Sequence, residues 1–168
     1  MRETKAIILA AGKGSRMKSD LPKVLHMVNG KTMIEHSIEK VRSLGIEDII
    51  VIVGYKRERV QGVLGDSVRY AVQDQQLGTG HAVMMARHLL EGFDGNIVVL
   101  YGDMPMINPA TIRRLIETRE QDDVKAALLT IVLDNPPDFG RIVRDEQGRV
   151  QRIVEFRDAS PQELKIKE

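Results

Sequence analysis

Gly12 and Gly14 lie among the cationic side chains of Lys13, Arg16 and Lys23 near the start of this chain. They occur in Leu9-Ala10-Ala11-Gly12-Lys13-Gly14-Ser15-Arg16-Met17, followed by Leu21-Pro22-Lys23-Val24-Leu25. Glycine lets a backbone turn tightly and approach a ligand closely, because no Cβ stands in the way. The amides of such a turn, with Lys13, Arg16 and Lys23 around them, suit a polyphosphate. The spacing fits neither common glycine motif. Gly12 and Gly14 are too close for a Walker loop, and Met17 stands where a dinucleotide fingerprint needs glycine or alanine. An ordinary basic surface loop is the competing reading. It is the poorer one, because the loop directly follows the apolar run Ala6-Ile7-Ile8-Leu9.

A second group of residues complements the loop. Asp103 leaves an apolar run after Tyr101-Gly102, and a carboxylate opposite a phosphate cradle is the expected anchor for Mg²⁺, which takes few protein ligands. A turn or helix-capping role before Met104-Pro105 is its plain alternative. Gln73 and Gln76 precede Gly78-Thr79-Gly80, and their amides offer both the donors and the acceptors that a pyrimidine edge demands. Glu155 could accept sugar hydroxyls, or pair with Arg157. The histidines, His26, His36, His81 and His88, form no metal constellation, and the spacing of His81 and His88 along one helix reads as packing. No Ser-His-Asp or paired-carboxylate arrangement is evident, so acyl transfer and glycoside hydrolysis are poor readings.

These loops need a frame, and the hydrophobic pattern supplies one. Residues 5–10 read as a buried strand. Thr32-Met33-Ile34-Glu35 is a capping box opening a helix over about 32–44, which Gly45 ends. Asp48-Ile49-Ile50-Val51-Ile52-Val53 is an unalternating β-branched run, as in a parallel sheet buried on both faces. A charged helix near 56–64, a strand over 68–72, a helix over about 79–91 and a strand over 96–100 follow. Asn108-Pro109 starts the next helix, and residues 126–133 read as a fifth strand. Runs at 141–144 and 149–154 flank Asp145-Glu146-Gln147-Gly148 as a hairpin. Alternating strands and helices imply an α/β fold: a Rossmann-like, mostly parallel sheet with helices on both faces and a small β-hairpin insertion. Such sheets bind ligands at the carboxyl ends of their strands. The loops 10–17, 73–80 and 101–105 all fall there.

Composition narrows the partners. At 168 residues one domain is the expectation. A net charge of +1 gives no global field for nucleic acid or an anionic membrane, and 4% aromatic residues offer little base-stacking surface. Cysteine is absent, which removes disulfides and thiolate metal sites and fits a cytoplasmic protein. No apolar run is long enough to span a membrane, and the opening residues lack a signal peptide's apolar stretch.

The motif set resembles the sugar-nucleotide pyrophosphorylases. Leu9 to Met17 and Leu21 to His26 carry the likeness. Gln76-Leu77-Gly78-Thr79-Gly80-His81-Ala82, Tyr101-Gly102-Asp103-Met104-Pro105 and Phe139-Gly140-Arg141-Ile142 narrow it. Together they are similar to the uridyltransferase half of the bacterial bifunctional enzymes that join N-acetylglucosamine-1-phosphate uridyltransferase to glucosamine-1-phosphate acetyltransferase. The likeness runs along nearly the whole chain. It implies that UTP and N-acetylglucosamine 1-phosphate give UDP-N-acetylglucosamine and pyrophosphate, with Mg²⁺ as cofactor, for cell-wall precursor synthesis. It also implies the roles. Leu9, Ala10, Ala11 and Gly12 line the uridine and phosphates, with Lys13 in the same loop. Arg16 and Lys23 meet phosphate charge, and Gln73, Gln76, Gly78 and Thr79 hold the uracil. Tyr101 and Gly102 border the sugar site, Asp103 binds the metal, and Gly140 and Glu155 contact the N-acetylglucosamine.

The sequence departs from the family's pattern in two ways. Ser15 stands for a threonine. Two asparagines, one contacting the sugar and one helping Asp103 hold Mg²⁺, have no counterpart, and neither has the acetyltransferase β-helix through which the family trimerises. The expectation is an incomplete nucleotidyltransferase domain over 1–168 that binds nucleotide and is weak or inactive in turnover. Two other readings stay open: a transferase for a related sugar 1-phosphate or another base, and a non-catalytic nucleotide-binding module.

Overall fold

In the computed structural model, which describes residues 2–14 and 17–168, the chain divides into two compact units, Met1–Ala127 and Leu128–Glu168. The first is built on four parallel strands: β1 (Thr4–Ala10), β4 (Ile49–Val53), β5 (Arg69–Val72) and β6 (Asn96–Tyr101), in the spatial order β5-β4-β1-β6. Two short strands between them, β2 (Met27–Val28) and β3 (Lys31–Thr32), pair antiparallel. The helices are α1 (Met33–Arg42), α2 (Arg57–Leu64), α3 (Thr79–Met84) and α4 (Pro109–Arg119). The expected α/β class with a parallel sheet is what the structure shows.

Every residue of β4 is buried, as its unbroken β-branched run requires in a central parallel strand. One face of the sheet packs Ile8, Val51 and Val53 against Ile34, Ile38 and Val41 of α1, Val60 and Leu64 of α2, and Ile112 and Ile116 of α4. The other face packs Ile7, Ile50, Ile52 and Ala71 against Ala82 and Ala86. Helices thus cover both faces. The α1 capping box forms as read: the Thr32 hydroxyl accepts from the Glu35 amide while the Glu35 carboxylate accepts from the Thr32 amide at 2.8 Å. Asn108 caps α4 by accepting from the Ala110 amide at 2.8 Å.

Two expectations need correction. The helix expected over 79–91 ends at Met84 and continues as a tighter turn over Arg87–Leu89. There Ala86 donates to Val83 and Leu89 to Ala86, a three-residue spacing that sets fully buried Ala86 against the sheet. The fifth strand expected over 126–133 does not form. Leu128, Leu129, Ile131 and Val132 are all exposed, and among the described residues no ladder pairs with them. A strand pattern is only half of a strand; the other half is a partner edge.

The second unit holds the expected hairpin, β7 (Arg141–Arg144) against β8 (Val150–Val154), with a bulge between Val143 and Arg144. The Asp145 carboxylate accepts from the Gln147 and Arg149 amides, and Gly148 takes φ +77 to close the turn. Arg141 is buried, donating to the Pro137 and Phe139 carbonyls. Glu168 bonds Arg144 and Thr130, which hold its carboxyl down at about 2.

At the amino ends of the strands, Asp48 receives Arg69 through two guanidinium nitrogens, at 2.9 and 2.6 Å, and pairs with Lys5 at 3.0 Å. It links β1, β4 and β5. Burial pushes its carboxyl up, but the Lys5 and Arg69 hydrogen bonds and charges outweigh that and hold it below its ordinary 3.8. Its contribution is therefore fully present above the unfolded carboxylate value and is lost as pH falls through the lower folded one. Asp48→Asn is expected to cost about 1 kcal/mol at pH 7, the partial exposure screening the pairs. Urea unfolding at a series of pH values from 7 downward checks this: the deficit against wild type should narrow as the pH falls below the unfolded carboxylate value and through the lower folded one.

Candidate functional site

Parallel strands put their carboxyl ends on one edge, and the candidate residues gather there. β1 runs out through Leu9 and Ala10 into Ala11, Gly12 and Lys13; Ala11 is buried while Gly12 and Lys13 are exposed. β4 runs into Gly54, β5 into Gln73, and β6 into Gly102 and Asp103. The Gly102 amide donates to the Leu9 carbonyl at 2.9 Å, and the Gln73 amide donates to the Val53 carbonyl at 2.8 Å. The strand ends are therefore stitched together one residue beyond the sheet.

The cationic loop meets the carboxylate directly. Lys23 Nζ donates to Asp103 Oδ2 at 2.7 Å, with side chains 39% and 30% exposed. Lys23 sits in a short 3₁₀ turn, Lys23–Leu25, whose Val24 and Leu25 are buried in the core. Gly14, at φ +61, lies so close that a Cβ there would come within 2.7 Å of the Lys23 Cβ. Gly14 is needed for that approach as well as for its turn. The segment leading to Lys23 is tied to α2, because Asp20 pairs with Lys56 and accepts from Arg59 at 3.2 Å. The Lys56 hydrogen bond, ahead of the charges around it, holds the Asp20 carboxyl below its ordinary value. Arg16, expected beside Lys23, lies outside the described residues.

The glutamine loop closes the other side. Gln76 Nε2 donates to the Ala11 carbonyl at 2.8 Å, joining this loop to the glycine loop across the edge. Gln73 is 5% exposed and donates from Nε2 to the Gly78 carbonyl at 3.1 Å. Gly78 takes φ +101 as it caps α3, a conformation that glycine adopts freely. Thr79 follows as the first residue of α3 and is exposed. Tyr101 is exposed at the end of β6, and Gly102 is buried, with Leu9, Val24 and Ile8 atoms within 3.4 Å of where its Cβ would be.

Gly140 and Glu155 belong to the second unit. A Cβ on Gly140 would stand 3.9 Å from Glu155 Oε2 and 3.2 Å from Ile153, so these two lie together. The alternative Glu155–Arg157 pair is not among the ion pairs of the described residues.

Two participants were not legible as such. Gly54 follows a buried strand, and a Cβ on it would meet the Gln73 carbonyl oxygen at 2.9 Å and Ala11 at 3.0 Å. A glycine directly after a buried β-branched run is the signal that could have found it. His81 reads as packing, yet its Nδ1 lies 3.0 Å from Gln73 Nε2. His36 bonds the Val28 carbonyl at 2.7 Å and serves the fold.

Among the described residues no group of three His, Cys, Asp or Glu could cage a metal. Mg²⁺ is commonly held by one or two carboxylates together with water and substrate phosphates, and Asp103 is a carboxylate at the edge where the strands end. No helix among the described residues is long and apolar enough to cross a membrane.

Comparison with known proteins places the chain in a family. Residues 6–137 match the profile of the MobA-like NTP transferase domain. The chain is 49% identical over 170 residues to the bifunctional protein GlmU of Symbiobacterium thermophilum, which covers all of this chain and 36% of that protein. It is 50% identical over 163 residues to GlmU of Geobacillus sp., covering 97% of the chain and again 36% of the relative. The chain thus spans roughly a third of the length of these relatives. A solved Bacillus anthracis structure described as a glucose-1-phosphate thymidylyltransferase superposes with TM-score 0.69 at 25% identity, over 98% of this chain and 67% of that one.

Proposed function

Because the chain belongs to the MobA-like NTP transferase domain family, we propose that it transfers the uridylyl group of UTP to N-acetylglucosamine 1-phosphate. The products are UDP-N-acetylglucosamine and pyrophosphate, and the setting is cytoplasmic cell-wall precursor synthesis. The observation that carries this reading is the Lys23–Asp103 pair at 2.7 Å, joining the glycine loop to the carboxylate at the strand ends. The likeness to GlmU proteins supports the choice of substrates.

In the reaction, a phosphate oxygen of the sugar 1-phosphate attacks the α-phosphorus of UTP in line. The bond from that phosphorus to the bridging oxygen breaks, and pyrophosphate leaves with its electron pair. The nucleophile is already anionic near neutral pH, so no residue needs to act as general base. The protein's part is positioning and charge neutralisation. Lys23 meets phosphate charge. Asp103 would hold Mg²⁺, which supplies further neutralisation of the phosphates when bound. Gln76 fixes the loop against Ala11, and Gln73 faces the base. Gly140 and Glu155 are proposed for the N-acetylglucosamine.

The test is calorimetric titration with UDP-N-acetylglucosamine in Mg²⁺, with Asp103→Ala alongside. Saturable binding is expected, weakened ~10-fold or more in the variant, and the difference should shrink when Mg²⁺ is withheld. A folded chain that binds no nucleotide sugar would overturn the reading. A second reading, a thymidylyl donor, is favoured by the Bacillus anthracis likeness; dTTP displacing a bound uridine ligand at equal concentration would support it.

A further inference from the structure

We infer that His81, as its neutral Nε2–H tautomer, is a positioning residue that locks the Gln73 amide so that only its oxygen faces the base. The inference rests on the uridylyl reading for the identity of that base. Gln73 Nε2 lies 3.1 Å from the Gly78 carbonyl oxygen and 3.0 Å from His81 Nδ1. A carbonyl oxygen only accepts, so the amide atom facing Gly78 is the nitrogen and not the oxygen. That nitrogen has two hydrogens. One goes to Gly78, and the other is directed at His81 Nδ1, which must then offer its lone pair and carry its ring proton on Nε2.

The lock is rigid on every side. Gly78 also accepts from the Ala82 amide at 3.1 Å, and its backbone caps α3 at φ +101. Gln73 is nearly enclosed, and its own amide is held by Val53. With both amide hydrogens used, Gln73 Oε1 remains, and it accepts no hydrogen bond from the described residues. A glutamine free to turn over could serve either a donor or an acceptor on the base. This one presents an acceptor alone. An imide N–H, as uracil carries at N3, satisfies it; cytosine places a lone pair at the same point and leaves two acceptors facing each other. His81 thereby contributes to base choice without touching the base.

UTP and CTP titrations in Mg²⁺ with wild type, His81→Ala and His81→Asn test this. Asparagine Oδ1 stands near where histidine Nδ1 stands and can only accept. Wild type should prefer UTP. In His81→Ala the UTP:CTP affinity ratio should fall ~10-fold or more, the scale of a mismatched buried polar contact, and His81→Asn should restore it to within about 2-fold. Equal losses for both nucleotides in His81→Ala, leaving the ratio unchanged, would overturn the inference by assigning His81 a purely structural role. The ¹⁵N shifts of the His81 ring give an independent reading: an Nε2–H tautomer near neutral pH is expected, and an Nδ1–H tautomer overturns the lock whatever ligand binds. If neither nucleotide binds, the uridylyl reading falls, and the tautomer still decides the lock.

Discussion

Replacing Lys23 by alanine is expected to weaken UTP binding in Mg²⁺ by ~10–100-fold while leaving the unfolding temperature nearly unchanged. The two halves of that expectation come from different environments of one ammonium group. Against Asp103 it forms a pair whose side chains are 39% and 30% exposed, and an ion pair that open to water contributes only about 0–1 kcal/mol to stability. Against a polyphosphate the same group makes charge-assisted hydrogen bonds, each worth about 1.5–3 kcal/mol. The lysine is also well placed before any ligand arrives, because its turn is anchored by buried Val24 and Leu25 and by the close pass of Gly14. Titration calorimetry paired with a thermal melt checks both halves. A large fall in melting temperature with unchanged affinity would make Lys23 a strut for Asp103 and not a phosphate ligand.

Gly54→Ala is expected to cost about 1–3 kcal/mol in stability and to weaken UTP at least ~10-fold. The added methyl would sit 2.9 Å from the Gln73 carbonyl oxygen and 3.0 Å from the Ala11 Cβ and carbonyl oxygen. Two of these are backbone atoms, which cannot swing aside as a flexible side chain would. Relief requires the glycine loop and the glutamine loop to part, and the Gln76 bridge to Ala11 spans that same gap. Gly12 is the control, since a Cβ there would meet nothing within 4 Å. Gly12→Ala should change stability by less than about 0.5 kcal/mol. Urea unfolding of the three proteins, followed by UTP titration of the two variants, decides it. Equal stability of Gly54→Ala and Gly12→Ala would show that the two loops are not held at contact distance.

Much of this architecture follows from local pattern, and the failures have definable causes. The β-branched run at 49–53 could only be a strand buried on both faces, and the Thr32–Glu35 box could only open a helix; both are where the pattern puts them. The edge on which the loops gather follows from parallel pairing alone. Residues 126–133 carry the same apolar bias yet form no strand, because pairing depends on an edge elsewhere in the chain and local pattern does not contain it. The helix after Gly78 breaks early for a related reason: close packing of Ala86 on the sheet favours the tighter turn. Within the site, charged residues beside glycines were legible by type. Gly54 and His81 were not, since one acts through the absence of a side chain and the other through a second residue. Their roles exist only once three strand ends are adjacent.

The position of β1 has a consequence for how the chain is made. This strand leaves the ribosome before the other three strands of its sheet, yet it lies in the middle of that sheet, between β4 and β6. Its pairing with β6 joins Thr4 to Asn96, a separation of about 90 residues. At ~5–20 residues per second, synthesis takes roughly 5–20 s to cover that distance. Throughout that interval Ile7 and Ile8 can be flanked on one side at most, and ribosome-associated chaperones would meet an apolar strand with an open edge. Nucleotide cannot shorten the wait. The Asp103 half of its site emerges only after β6 itself, so the ligand can favour the finished fold but not the nascent chain.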